Sequence, residues 1–239
     1  GFDPNAAANG YLMNFNDQAS QIVNLLYDQD GSVFMIDWYD LNQCHRRDPV
    51  VHDRSNGRIF KVAYGNQKTT RVDLKKASDD ELVKYQLHKN DWYVRHARRV
   101  LQERGSNPKV HKALLEIANN NPDETRKLRA LWALHVTGGF TEKVALAQLK
   151  SKSEYVRAWA IQLTFEDKNP SDALLKEVAR MAADDKAPFV RLYIAAAMLR
   201  TPIDKRRDTL VALLSHAEDA DDHNLPLMYW YAAEPLVGK

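Results

Sequence analysis

Four stretches decide the fold: 92–101 (WYVRHARRVL), 127–134 (KLRALWAL), 155–163 (YVRAWAIQL) and 189–199 (FVRLYIAAAML). Each sets an apolar residue and then an arginine at the head of a helical pattern. The arginines are Arg95, Arg129, Arg157 and Arg191, separated in turn by 34, 28 and 34 residues. A phrase returning every ~30–40 residues is the mark of stacked helix pairs, where each unit buries its apolar face only against its neighbours. Within the phrases the apolar spacing is i, i+3, i+4, i+7, as in Val156, Trp159, Ala160 and Leu163 or Val190, Tyr193, Ile194 and Ala197. Partner helices are expected at 109–118, 142–149, 173–182 and 205–214, and the last helix at 225–236. That makes about five pairs in a right-handed solenoid.

Punctuation supports this division. Ser78-Asp79-Asp80-Glu81 is a capping box. Asn107-Pro108 places a cap before a proline at the first helical position. Asn121-Pro122, Gly138-Gly139, Asn169-Pro170 and Ala187-Pro188 mark turns between periodic segments.

The first stretch has a different period. Residues 22–27 (IVNLLY) and 32–37 (SVFMID) are β-branched or apolar runs, and Gly31 between them supplies the positive φ of a tight turn. Residues 58–64 (RIFKVAY) form a third alternating run, preceded by Asn56-Gly57. The expected fold is therefore mainly α, a HEAT-like α-α superhelix over 67–239, with a small N-terminal antiparallel β-element within 1–66. Three strands alone are marginal and leave open edges, so they must pack on helices or belong to a larger sheet.

Composition narrows the function. The 34 basic and 32 acidic residues nearly cancel, which weighs against the strongly basic stripe that phosphate binding needs. No apolar run approaches the ~20 residues of a membrane span. Cys44 is the one cysteine, which excludes an internal disulfide and a CxxCH haem attachment in this segment. Gly1 without a preceding Met reads as a cleavage scar, with the natural N-terminus missing.

Two segments carry a family resemblance. The phrase Asp91-Trp92-Tyr93-Val94-Arg95 resembles the opening of the second helix of a HEAT repeat, and 186–191 (KAPFVR) resembles it without the acid in place, though Asp185 is near. The run 28–40 (DQDGSVFMIDWYD), then CHRRDP and 53–64 (DRSNGRIFKVAY), resembles the closing blade of a quinoprotein-type six-bladed β-propeller of the sorbosone/glucose dehydrogenase-like proteins. The junction 74–104 and the end 221–235 (DDHNLPLMYWYAAEP) also resemble that family. The resemblance implies a last-blade remnant followed by HEAT repeats. It implies a parent dehydrogenase using pyrroloquinoline quinone (PQQ) and calcium, with the pocket in blades absent here. It also implies docking partners in the missing propeller and a cytochrome c domain, and an extracytoplasmic, periplasmic location. On this reading the segment holds no cofactor, has no catalytic residue, and acts as an interaction scaffold for its own parent or for other proteins.

Candidate sites follow. His45, Arg46, Arg47 and Asp48 form the densest polar cluster and, in a complete propeller, could approach an anionic ligand, since paired guanidiniums hold carboxylates bidentately; alternatively they anchor the strands. Cys44 beside His45 is a weak nucleophile candidate, because adjacency in sequence does not ensure contact. Asp28-x-Asp30-Gly31 reads first as a hairpin turn and second as part of a calcium loop that lacks its distal Glu. The ladder Arg95, Arg129, Arg157, Arg191 reads as structural, each arginine bridging to a neighbouring repeat, against a rival reading as an anion groove. Trp92, Trp132 and Trp159 read as core, as do Trp38 and Trp230. His96, His111, His135, His216 and His223 show no i, i+4 pair, so no structural zinc is expected. Two rivals to the dehydrogenase reading remain open: a nucleic-acid-binding protein similar to the alkylpurine DNA glycosylases of HEAT architecture, and a stand-alone HEAT scaffold.

Overall fold

A computed structural model describes residues 13, 15–40, 55–66 and 71–237. The chain is mainly helical, with a small three-stranded antiparallel sheet near its N-terminus. It divides into two compact units, one comprising 1–73 with 89–93, the other 74–88 with 94–239.

In the first unit, β1 (Ile22–Tyr27), β2 (Val33–Asp37) and β3 (Arg58–Val62) pair in the order β1-β2-β3. Tyr27 faces Val33, and Val33 faces Val62, so register runs straight across the sheet up to an irregularity between Ile22 and Asn24. Gly31 turns the hairpin at φ 82°, a left-handed conformation that costs glycine little. Alternation separates two faces. One carries Met35 and Asp37, both buried, with Arg58 lying over the Tyr39 ring at 4.0 Å and donating from Nε to Asp37 at 2.8 Å. The other carries Leu26, Ile36 and Ile59, all exposed. The short segment 89–93 belongs to this unit: Asn90 Nδ2 donates to the Asp28 carbonyl at 2.8 Å, and the Tyr27 hydroxyl donates to Asp91 at 3.0 Å.

The helical unit reads out the repeat. Its helices are α1 (Asp79–Lys84), α2 (Asp91–Arg104, whose first turn falls in the other unit), α3 (Pro108–Asn120), α4 (Glu124–Val136), α5 (Glu142–Gln148), α6 (Glu154–Thr164), α7 (Asp172–Asp184), α8 (Pro188–Met198), α9 (Arg207–Leu214) and α10 (Leu225–Ala233). They stack in two layers. First helices touch first helices (α1 on α3, α5 on α7, α7 on α9), and second helices touch second helices (α4 on α6, α6 on α8, α8 on α10). The shared core between layers includes Ile161, Phe165, Val178, Val190, Ile194 and Met198, all fully buried. A buried aliphatic or aromatic side chain of this size contributes about 1.5–3 kcal/mol.

Local chemistry sets the helix starts. Ser78 Oγ accepts from the Glu81 amide at 3.3 Å while the Glu81 carboxylate accepts from the Ser78 amide at 2.8 Å, completing the capping box. Asn107, Asp123, Thr141, Ser153 and Ser171 each accept from an amide in the first turn that follows them. Two elements differ from the sequence expectation in their bounds. The segment expected at 205–214 breaks into a 3-10 turn, Ile203–Lys205, and α9, because Arg206 turns inward between them. The last helix stops at Ala233 and tightens to a 3-10 turn, Glu234–Leu236, where Pro235 cannot donate to the ladder.

Gly138-Gly139 closes α4. Gly138 has φ 77°, and the Gly139 amide donates back to the Leu134 carbonyl at 2.7 Å. A Cβ on Gly139 would lie 2.7 Å from the His111 ring and 2.9 Å from Leu134 Cδ2. His111 has little room to yield, since its Nε2 meets the Thr137 carbonyl at 3.1 Å. Gly139→Ala is expected to destabilise the protein by about 1–3 kcal/mol, the usual cost of overpacking. Urea denaturation checks this, and an unchanged midpoint would mean that the ring swings aside.

Candidate functional site

The four ladder arginines occupy different environments. Arg157 sits at the second turn of α6 and reaches Asp185 with two bonds, Nε to Oδ2 at 2.7 Å and Nη2 to Oδ1 at 2.8 Å. Its Nη1 donates to the Ser151 carbonyl at 2.9 Å. Arg191, one repeat on in α8, repeats the arrangement. Its Nε donates to Asp219 Oδ2 at 2.7 Å, its Nη2 pairs with Asp219 Oδ1, and its Nη1 donates to the Asp185 carbonyl at 2.8 Å. In both cases the acid lies 28 residues beyond the arginine and the carbonyl six before it. Asp185 therefore serves twice, by its carboxylate to Arg157 and by its carbonyl to Arg191. The Tyr229 hydroxyl closes the series, donating to Asp219 Oδ2 at 2.6 Å.

Arg129 and Arg95 depart from this arrangement. Arg129 donates to the His88 carbonyl at 3.0 Å, and Arg126 beside it donates to the Leu87 carbonyl at 3.4 Å. The residue 28 beyond Arg129 is Arg157, so no acid stands there. Arg95 is exposed. Asp123, 28 residues beyond it, is taken up by Arg126 on its own helix.

Burial grades the ladder. Arg191 and Asp219 are 2% and 3% exposed, and a charge so enclosed persists only when paired. Hydrogen bonding to Asp219 raises the Arg191 guanidinium above its ordinary pKa. Burial by itself would raise the Asp219 carboxyl, but bonds from Arg191 and Tyr229 outweigh it and hold the carboxyl below its ordinary value. Burial, and then the neighbouring carboxylate, push the Tyr229 hydroxyl upward, so it stays a donor.

Sequence reasoning missed several members of this network. Asp219 and Tyr229 lie outside every repeated phrase. Arg206 is buried without a carboxylate, its Nε donating to the Thr201 carbonyl at 2.8 Å at the end of α8; burial lowers its pKa. Carbonyls at a helix C-terminus carry partial negative charge and can stabilise such a cation. Asp185 was legible as the acid six residues before Arg191, in the place that Ser151 occupies before Arg157.

Two clefts border the stack. One, of about 900 Å³, is lined by Arg157, Arg180, Asp184 and Asp185 among others. Arg180 pairs with Glu177 at 2.8 Å and Asp184 at 3.0 Å, so an entering anion would compete with carboxylates already in place. The other, of about 590 Å³, holds the His135–Glu166 pair and Ser171. Ser171 caps α7 and donates to Glu142 at 2.9 Å, so its hydroxyl proton is committed to a carboxylate and to the helix cap. Among the described residues, no three His, Cys, Asp or Glu side chains converge to hold a metal ion. Asp28 and Asp30 do approach one another, but Lys61 Nζ fills the place a cation would take, 2.8 Å from Asp30 and 3.5 Å from Asp28. The lysine bond holds the Asp30 carboxyl well below its usual range. These residues do not fit calcium and form the hairpin turn. Cys44, His45, Arg46, Arg47 and Asp48 lie outside the described residues.

The tryptophans divide. Trp132, Trp159 and Tyr193 run across α4, α6 and α8 as ring contacts of 4.9 and 6.3 Å, half-buried between helices. Trp38 and Trp230 are exposed, 47% and 50%, contrary to the core expectation. In α10 nearly every residue is apolar, so periodicity did not say which face turns inward. No helix is long and apolar enough to cross a membrane among the described residues.

Comparison of the chain with protein-family models, with curated proteins and with solved structures finds no match in any of the three.

Arg191→Ala should destabilise by about 3–5 kcal/mol, because Asp219 is left buried and unpaired. Arg157→Ala should cost less, and Arg95→Ala only about 0–0.5 kcal/mol, as at ordinary surface sites. Denaturant melts of the three variants check this order, and equal losses would refute it. Because the folded-state pKa of Asp219 is depressed, its contribution is complete above the ordinary value of 3.8 and falls away as pH drops through the lower folded value. Stability measured against pH should therefore fall less steeply at acid pH in Asp219→Asn than in the parent.

Proposed function

We propose that this chain is a non-catalytic helical interaction region of a larger quinoprotein-like dehydrogenase, docking its β-element against further β-structure of that protein. The observation that carries the reading is the three-stranded sheet, which exposes Leu26, Ile36 and Ile59 on one face and, among the described residues, ends in two edge strands. A sheet this small with an uncovered apolar face is marginal by itself. Its strands are the ones that resemble a propeller's closing blade, and the stacked helices resemble HEAT repeats. In the larger helical cleft the two arginines, Arg157 and Arg180, are held by carboxylates, which supports a scaffold rather than a site of chemistry. In such a protein PQQ and calcium belong to the propeller. A cytochrome c domain is the expected electron-accepting partner, and the location is extracytoplasmic.

Dye-reduction assays with PQQ, calcium and simple sugars or alcohols should show no turnover by this chain. Rates on the order of 1–1000 per second would overturn the reading. Attaching the sequence encoded upstream should slow amide exchange in β1 and β2, and unchanged exchange would count against docking through the sheet. Salt-sensitive duplex binding that Arg157→Ala weakens without altering the melt would favour the nucleic-acid alternative instead.

A further inference from the structure

The helical unit ends on an apolar face. Among the described residues, every exposed large apolar side chain of that unit except Tyr155 lies between 199 and 237. In α9, Val211 and Leu214 turn outward while Thr209, Leu210 and Leu213 are buried. In α10, Leu227, Trp230 and Tyr231 turn outward, at i, i+3 and i+4, while Leu225, Tyr229 and Ala232 are buried. The two helices pack on one another, so both outward stripes belong to the last helix pair. A helix that is apolar all round belongs in an interior, and the terminal repeat of a solenoid needs a polar outer face. At the other end α1 has one: Asp80, Glu81 and Lys84 are exposed, and Leu82 and Val83 are buried.

Three features of the molecule select the occupant. Arg157 and Arg191 open α6 and α8 and each reaches an acid in a later loop, but the residue 34 beyond Arg191 is Leu225, so the pairing device of the stack stops at α10. The outer face of α1 is charged, so copies stacked head to tail would press the apolar face onto charge. The last repeat is also acidic. Residues 207–237 hold six carboxylates and one arginine, although the whole chain is +2. Three of the six are committed: Glu218 to His216, Asp219 to Arg191, and Asp222 to the amides of Asn224 and Leu225. Asp208, Asp221 and Glu234 are exposed and, among the described residues, have no basic partner. A second copy related by a two-fold axis would bring the same acidic rim to the contact, and an anionic membrane would be repelled likewise. We propose that the outer face of α9 and α10 docks a basic amphipathic helix of another protein. Its apolar stripe lies on Leu227, Trp230 and Tyr231, and its lysines or arginines face Asp208, Asp221 and Glu234. A helix fits because the earlier pair is covered by helices in the same way, α7 by α9 and α8 by α10. Tryptophan and tyrosine are the residue types that anchor such contacts. This face belongs to the helical unit and is independent of how the sheet docks.

Fluorescence anisotropy of a labelled synthetic peptide, titrated with the whole chain, tests it. The peptide is helical, with leucine at i, i+3, i+4 and i+7 and lysine elsewhere, and its control carries glutamate for every lysine. The lysine peptide should bind saturably and weaken several-fold as salt is raised. The glutamate peptide should bind about tenfold or more weakly. Trp230→Ala and Leu227→Lys should each weaken the lysine peptide by about tenfold or more. Both side chains are exposed, so circular dichroism and the melt should stay those of the parent. Asp208→Asn combined with Asp221→Asn leaves the apolar face intact and should weaken binding several-fold while flattening its salt dependence. Tyr155→Ala, at an exposed position of α6, should change nothing. Absent binding, equal affinity for the two peptides, or binding that survives both Trp230→Ala and Leu227→Lys overturns the proposal. So does self-association in sedimentation velocity that Trp230→Ala abolishes, which would make a second copy the occupant. Binding to phosphatidylserine vesicles that the same change abolishes would make it a membrane face and overturns the proposal as well.

Discussion

The helical stack depends on one requirement: the buried Arg191 charge must keep its carboxylate. Arg191 and Asp219 lie almost entirely out of water, and neither has an alternative partner of opposite charge as close. Their pairing holds the start of α8 to the loop before α10. Arg157 and Asp185 do the same one repeat earlier, with more exposure and so a weaker constraint. Apolar burial supplies most of the free energy that keeps the layers together. It is less directional than a bidentate guanidinium–carboxylate pair, which tolerates little displacement.

Helices, caps and turns were legible because each rests on local chemistry. Ser78 and Glu81 are three residues apart and bond each other, and Val156 and Ala160 fall on one face because a helix has a fixed period. The hairpin was equally local, set by Gly31. What escaped was non-local. Nothing near Arg191 in sequence marks Asp219, since the spacing of 28 residues has no helical meaning and emerges only when two loops stack. Arg206 escaped for a related reason. A basic residue between helices reads as a surface residue, and only the carbonyls at the end of α8 and in α10 make its burial tolerable. The repeated arginine was visible at four positions, yet its environment depended on an acid in another repeat. Arg129 and Arg95, with similar local phrases, consequently differ from the other two.

The two units manage polar groups differently. In the helical unit, backbone groups are satisfied within each helix, and two buried or half-buried arginines, Arg157 and Arg191, pair across loops. In the sheet unit, β1 has a strand partner on one side among the described residues, and apolar side chains are exposed beside it. The turn carboxylates, Asp28 and Asp30, are held by Lys61. The hairpin has no deep core to fix it, so an ion pair across the sheet and the bonds from Asn90 take that part.

The double use of Asp185 has a consequence for how substitutions combine. Its side chain serves Arg157, but what it offers Arg191 is a backbone carbonyl, which every residue possesses. Changes at 157 and 185 should therefore be strongly epistatic, and an exchange of acid and base between them could restore what either loses. Positions 185 and 191, though joined by a hydrogen bond of 2.8 Å, should behave as nearly independent sites. The ladder is continuous in space and divided in heredity: each of its rungs can drift or be repaired without consulting the next.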